Sequence, residues 1–121
     1  MEQKKTLVIG ASENPARYSN LAIRRLADHH HPVIAIGREK GAVGNVTIET
    51  EKKQFDSIDT VTLYLNPANQ REYYDYILSL HPKRIIFNPG AENDELSTLA
   101  AQNGIHTKEA CTLVLLSTGQ Y

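Results

Sequence analysis

Thr6-Leu7-Val8-Ile9-Gly10-Ala11-Ser12-Glu13-Asn14-Pro15-Ala16-Arg17-Tyr18-Ser19-Asn20 is the stretch on which the fold turns. Leu7 to Ile9 is a short apolar, β-branched run of the kind that forms a strand buried on both faces. Gly10 permits a sharp turn, and a loop of small and hydroxyl-bearing residues follows. Ser19 and Asn20 are both good N-caps, and Tyr18, Leu21, Ala22 and Leu26 recur at helical spacing beside them. A strand, a small-residue loop and a helix N-terminus together make an anion site. The first N–H groups of a helix have no internal acceptor, and the helix dipole favours negative charge there. Arg17 adds a planar cation suited to phosphate. Of the three glycines in a dinucleotide fingerprint only the first is present, since the chain reads Gly-Ala-Ser-Glu-Asn-Pro from Gly10. Alone, the stretch is also compatible with an ordinary βα turn and a solvated Arg.

Beyond that loop the first helix should run to His29-His30-His31, where Pro32 blocks continuation. Residues 33–36 read as a second buried strand. Gly41 and Gly44 punctuate a connection, too short for a helical crossover, to a small edge strand at 46–48. Residues 60–65 form the clearest strand, β-branched and aromatic throughout. A helix follows with Tyr73, Tyr74, Ile77 and Leu78 on its buried stripe, then a strand at 84–87. Residues 92–103 are helical with Leu96, Leu99 and Ala100 inward, Asn103-Gly104 stops that helix, and 105–107 is a last short strand. The apolar run 111–116 is too short for its period to separate helix from strand. The alternation predicts an α/β chain, one domain over residues 1–121. Its mostly parallel sheet is doubly wound in the order 3-2-1-4-5-6, in three α/β/α layers.

The five prolines mark the working edge. Asn14-Pro15, Asn66-Pro67 and Asn88-Pro89 each follow a strand, whereas His31-Pro32 and His81-Pro82 each precede one. In a parallel sheet the three Asn-Pro loops therefore share the carboxyl edge, where open α/β sheets bind ligands. Loops 10–19, 37–40, 66–69 and 88–92 should converge there on one crevice. A dehydrogenase would place an acid at the end of the second strand to hold the ribose hydroxyls. This chain has Arg38 near that point, which suits a phosphorylated ribose such as that of NADP or coenzyme A; a solvated pair with Glu39 is the plainer reading.

Val8-Ile9-Gly10-Ala11-Ser12, Asn14-Pro15-Ala16-Arg17-Tyr18-Ser19, Asn88-Pro89-Gly90-Ala91 and the late Cys111 together resemble the small CoA-binding proteins. These are stand-alone relatives of the N-terminal domain of the succinyl-CoA synthetase alpha subunit. The resemblance implies a Rossmann-like fold with the CoA diphosphate over Gly10, Ala11 and Ser12, helped by Asn14, Arg17, Tyr18 and Ser19. It also implies an adenosine end near Gly37 and Arg38, and a pantetheine arm passing Asn66 and Pro67 toward Asn88, Pro89 and Gly90. Family members often read Val-Asn-Pro after the second strand, where this chain reads Ile36-Gly37-Arg38-Glu39. With the sequence ending at Tyr121, nothing of the synthetase's phosphohistidine-bearing active site is expected to carry over.

Composition narrows the remaining classes. Lys plus Arg number 13 against 14 Asp plus Glu, which leaves no basic field for nucleic acid or a membrane surface. No apolar run approaches the roughly 20 residues of a membrane span. The N-terminus runs into the first strand without a signal-peptide core. Cys111, the only cysteine, suits a reducing compartment, so the expected location is cytoplasmic. Consecutive histidines cannot share one helical face, which argues against a metal site, and Asp56 and Asp59 do not read as a catalytic pair. No nucleophile–base constellation emerges. The expectation is a non-catalytic module for coenzyme A or an acyl-CoA, with a protein partner or homo-oligomer left open. The alternative is an NADP-dependent oxidoreductase, or another enzyme acting on a phosphorylated metabolite.

Overall fold

The computed structural model describes residues 2–121. The strands are β1 (Thr6–Ile9), β2 (Val33–Ile36), β3 (Gly41–Val43), β4 (Val46–Glu49), β5 (Thr60–Leu63), β6 (Arg84–Phe87) and β7 (His106–Glu109). The helices are α1 (Tyr18–Asp28), α2 (Pro67–Gln70), α3 (Tyr74–Leu80), α4 (Asp94–Gln102) and α5 (Thr112–Ser117). The strands form one seven-stranded sheet in the order β3-β4-β2-β1-β5-β6-β7. Only the β3–β4 pair is antiparallel. Counting the parallel strands alone gives 3-2-1-4-5-6, the doubly wound Rossmann-like order expected from the sequence.

A strand alternates its side chains between faces, and β1 shows why its run is apolar throughout. Leu7 and Ile9 join Val61, Leu63, Ile85 and Phe87 under Ile77, Leu80, Leu96 and Ala100 of α3 and α4. Val8, with Ala35 and Ile86, faces the other way, under Ile23 and Leu26 of α1 and Leu115 and Leu116 of α5. All four residues of β1 are fully buried.

Several boundaries differ from the sequence expectation. Residues 46–48 are not the edge: β4 pairs with β2 on one side and β3 on the other. The presumed connection at Gly41 is itself the outermost strand, and it carries the chain back without a helix. The 60–65 strand ends at Leu63, which frees Tyr64 and Leu65 for the loop beyond. The helix after Asn66 is broken by a 3-10 turn at Arg71–Tyr73. Where it breaks, Gln70 is fully buried and its Nε2 donates to Leu65 O and Ala91 O at 2.8 and 2.7 Å. Residues 92–103 are helical only from Asp94, because Asn93 accepts from Leu96 N at 3.0 Å and so fixes the start. The undecided run at 111–116 is helix α5.

Neither Ser19 nor Asn20 caps α1. The helix begins at Tyr18 with Arg17 in the cap position and no side-chain cap bond. Ser19 and Asn20 lie buried in the first turn, and Asn20 Nδ2 donates to Ser12 O at 3.0 Å. Tyr18, expected on the buried stripe, is instead 74% exposed. No helix among the described residues is long and apolar enough to cross a membrane.

Candidate ligand cleft

The loop after β1 is shaped by close contacts. Gly10 has φ +95°, and a Cβ there would fall 2.8 Å from the Tyr64 carbonyl oxygen, so both conformation and space demand glycine. The N–H groups of Gly10 and Ala11 both donate to Ile36 O at 3.0 Å, which ties the loop to the end of β2. Asn14 then folds the loop on itself. Its N–H donates to Ser12 Oγ at 3.1 Å, its Oδ1 accepts from Ala16 N at 3.0 Å, and its carbonyl accepts from Arg17 N at 3.0 Å. Asn20 N and Leu21 N turn back to Arg17 O. The amides of Ser12, Glu13, Tyr18 and Ser19 are left without an acceptor among the described residues. The backbone donors that this loop can offer an anion are therefore these four. The amides of Gly10 and Ala11, the first two in the sequence assignment, are already engaged.

These residues line a cleft of about 870 Å³ at the carboxyl edge of the sheet. That volume lies within the roughly 300–1,000 Å³ range of small-molecule sites. Four loops meet there. The first supplies Gly10, Ala11, Ser12, Asn14, Arg17, Tyr18 and Ser19, and the loop after β2 supplies Arg38. The loops after β5 and β6 supply Asn66 and Pro89-Gly90 respectively. The convergence proposed from the proline positions is thus present in the molecule.

Three positions named from the sequence do not line the cleft. Gly37 donates to Glu49 O at 2.9 Å, and its α-carbon abuts the Ala11 carbonyl so closely that no Cβ would fit. It clamps the two loops together. Pro67 opens α2 behind Asn66, whose own Oδ1 caps Asn69 N at 2.9 Å. Asn88 is buried, with Nδ2 donating to Thr62 Oγ1 at 2.6 Å and Leu63 O at 2.9 Å while Oδ1 accepts from Thr112 N at 2.9 Å. Its amide is spent on joining β5, β6 and α5, and it shapes the loop from below.

The cleft also holds residues that were not singled out: Glu13, Ala16, Glu39, Lys40, Tyr64, Leu65, Asn69 and Ala91. Tyr64 and Leu65 were read as strand, and nothing in their apolar character points to a ligand. Glu13 reaches away from the loop to accept from Ala42 N at 2.9 Å, which covers the outward-facing edge of β3. Gly41 makes room for that carboxylate, since a Cβ would collide with it. The Tyr64 hydroxyl is buried beside Thr62 and Thr112, which bond to each other at 2.8 Å, and it has no hydrogen-bond partner among the described residues. Burial drives its pKa up, so it remains a phenol.

Cys111 is free and half-buried at the start of α5, outside the cleft lining. No group of three or more His, Cys, Asp or Glu among the described residues is placed to hold a metal. The histidine run ends with His31 turned inward at the amino edge, where its Nδ1 accepts from Lys4 N at 2.9 Å.

The family model described as "CoA binding domain" matches residues 4–117. A crystal structure of an uncharacterized protein is 50% identical and superimposes with a TM-score of 0.97, with all of both chains covered. A hypothetical protein from Pyrococcus horikoshii OT3 is 23% identical at a TM-score of 0.87, covering 97% of this chain and 84% of its own. The dinucleotide-forming acetyl-coenzyme A synthetase 1 of Ca. Korarchaeum cryptofilum is 15% identical at a TM-score of 0.73. There 89% of this chain aligns with 26% of that one. At such identities the latter two establish the fold alone. No curated protein matches the chain.

Proposed function

The chain belongs to the CoA binding domain family, and on that premise we propose that it binds coenzyme A or an acyl-CoA in the carboxyl-edge cleft without catalysis of its own. The family match over residues 4–117 is the observation that carries this reading. The cleft supplies the means. The diphosphate sits on the unpartnered amides of Ser12, Glu13, Tyr18 and Ser19 under the Arg17 guanidinium, at the positive end of α1. The adenosine end with its 3′-phosphate lies toward Arg38 and Lys40. Pantetheine runs past Leu65 and Asn66 toward Pro89 and Gly90. Burial keeps the Tyr64 phenol protonated, which suits a binding role. With its lone thiol free, the protein fits the cytoplasm.

Ligand-induced stabilisation tests the reading directly. Coenzyme A at about 100 times its dissociation constant should add about 2.7 kcal/mol to the unfolding free energy. NADP at the same concentration should add far less. Stabilisation by NADP with none by coenzyme A would reject the proposal.

A further inference from the structure

The cations of the cleft are gathered at one end. Arg17, Arg38 and Lys40 all lie on the loops after β1 and β2, where they outnumber the two lining acids, Glu39 and Glu13, the latter turned toward Ala42 N. The loops after β5 and β6 contribute amide and apolar groups instead, chiefly Leu65, Asn66, Asn69, Pro89 and Ala91. Just beyond them the charge is negative. Glu92 folds its carboxylate back to accept from Gly90 N at 2.8 Å, and Asp94 and Glu95 occupy the first turn of α4. The positive end of α4 does not offset them, because Asn93 already caps it and the two acids answer its dipole.

We propose that this polarity makes the cleft selective for coenzyme A carrying a free thiol or an uncharged acyl group, against thioesters whose acyl chain ends in a carboxylate. The proposal rests on the coenzyme A reading above and names the acyl class that the reading leaves open. The phosphates are drawn to the cationic end, which directs the thioester toward Pro89, Gly90 and Glu92. A terminal carboxylate there meets the Glu92 charge, and the described residues of the loops after β5 and β6 that line this end include no cation. Like-charge juxtaposition is the usual way in which a surface refuses a near-isostere.

Butyryl-CoA and succinyl-CoA have four-carbon acyl chains and differ by the carboxylate, so calorimetry with this pair and free coenzyme A isolates the effect. At low salt, butyryl-CoA should bind about three- to fivefold more tightly than succinyl-CoA, the size expected of one exposed charge interaction. The ratio should fall toward one as added salt screens it. Glu92→Gln keeps an acceptor for Gly90 N while removing the charge, and should narrow the ratio at low salt. Coenzyme A binding with equal or tighter binding of succinyl-CoA overturns this inference alone. A ratio that ignores both salt and Glu92→Gln overturns its electrostatic basis. No binding of coenzyme A at all overturns the parent reading and this one with it.

Discussion

The two edges of the sheet are built from the same kind of loop and end in opposite states. At the carboxyl edge four loops surround an open cleft, and the first of them leaves four amides without an acceptor among the described residues. At the amino edge the chain fills the space itself. Tyr121 tucks beneath the sheet, 3% exposed, with its hydroxyl bonded to Thr6 Oγ1. The Arg84 guanidinium stacks 4.4 Å from its ring centre, and the His31 ring lies 4.9 Å away. Lys4 Nζ donates to the Tyr121 carbonyl, and the Arg84 Nε donates to Thr60 Oγ1 at 2.8 Å. One edge holds the molecule together, whereas the other keeps its donors for something else. A doubly wound sheet permits this division because the two sets of loops never meet.

The separation is open to direct attack. Tyr121→Ala removes a buried aromatic ring from the closed edge and should cost about 3–5 kcal/mol of stability, the range for deleting large core aromatics. Urea denaturation would read the loss. Coenzyme A affinity, measured well below the unfolding midpoint, should not change. A variant that keeps its stability would show that Tyr121 does not hold the closed edge, and one that loses ligand affinity along with its stability would show the two edges to be coupled.

Arg17→Ala attacks the other side. Arg17 is exposed and no salt bridge to it is found among the described residues, so the unliganded protein should keep its stability within about 0.5 kcal/mol. Affinity for coenzyme A should fall by about 1.5–3 kcal/mol, the range for hydrogen bonds to charged groups. Calorimetry showing unchanged affinity would remove Arg17 from the site and leave the amides to hold the diphosphate unaided.

The sequence carried the layered fold and the working edge because both depend on signals that survive locally. Apolar runs such as Leu7 to Ile9 mark strands buried on two faces, and the five prolines sort the loops by strand end. What was not legible depends on who pairs with whom. That Gly10 and Ala11 spend their amides on Ile36 O is a fact about β2, invisible in the loop's own residues. Asn88 looked like a ligand group by its place after a strand, yet Thr62, Leu63 and Thr112 claim its amide. The hairpin β3–β4 was hidden because a three-residue strand beginning at a glycine has no period to read. The closing of the amino edge by Tyr121 was equally hidden, since a lone aromatic far along the chain names no partner.

The smallest expected effect asks whether the closed edge is also tuned by protons. His31 is 4% exposed, and its Nδ1 accepts from Lys4 N at 2.9 Å, so the ring is neutral with its proton on Nε2. Burial lowers its pKa below 6.5, His29, Lys4 and Arg84 lower it further, and Asp59 opposes them. The unfolded chain therefore binds this proton first. Stability should be whole above about pH 6.5 and decline as the pH falls through the ordinary histidine range, by up to about 1.4 kcal/mol per pH unit for one proton. A protonated ring would turn an N–H toward the Lys4 amide that now donates to it, between two neighbouring cations. His31→Gln cannot titrate, so its unfolding free energy should fall less than the wild type's between pH 7.5 and 5.5. Parallel curves for the two proteins would assign the acid sensitivity to another group. A steeper wild-type curve with unchanged coenzyme A affinity would show that protons act on the filled edge while the open one is spared.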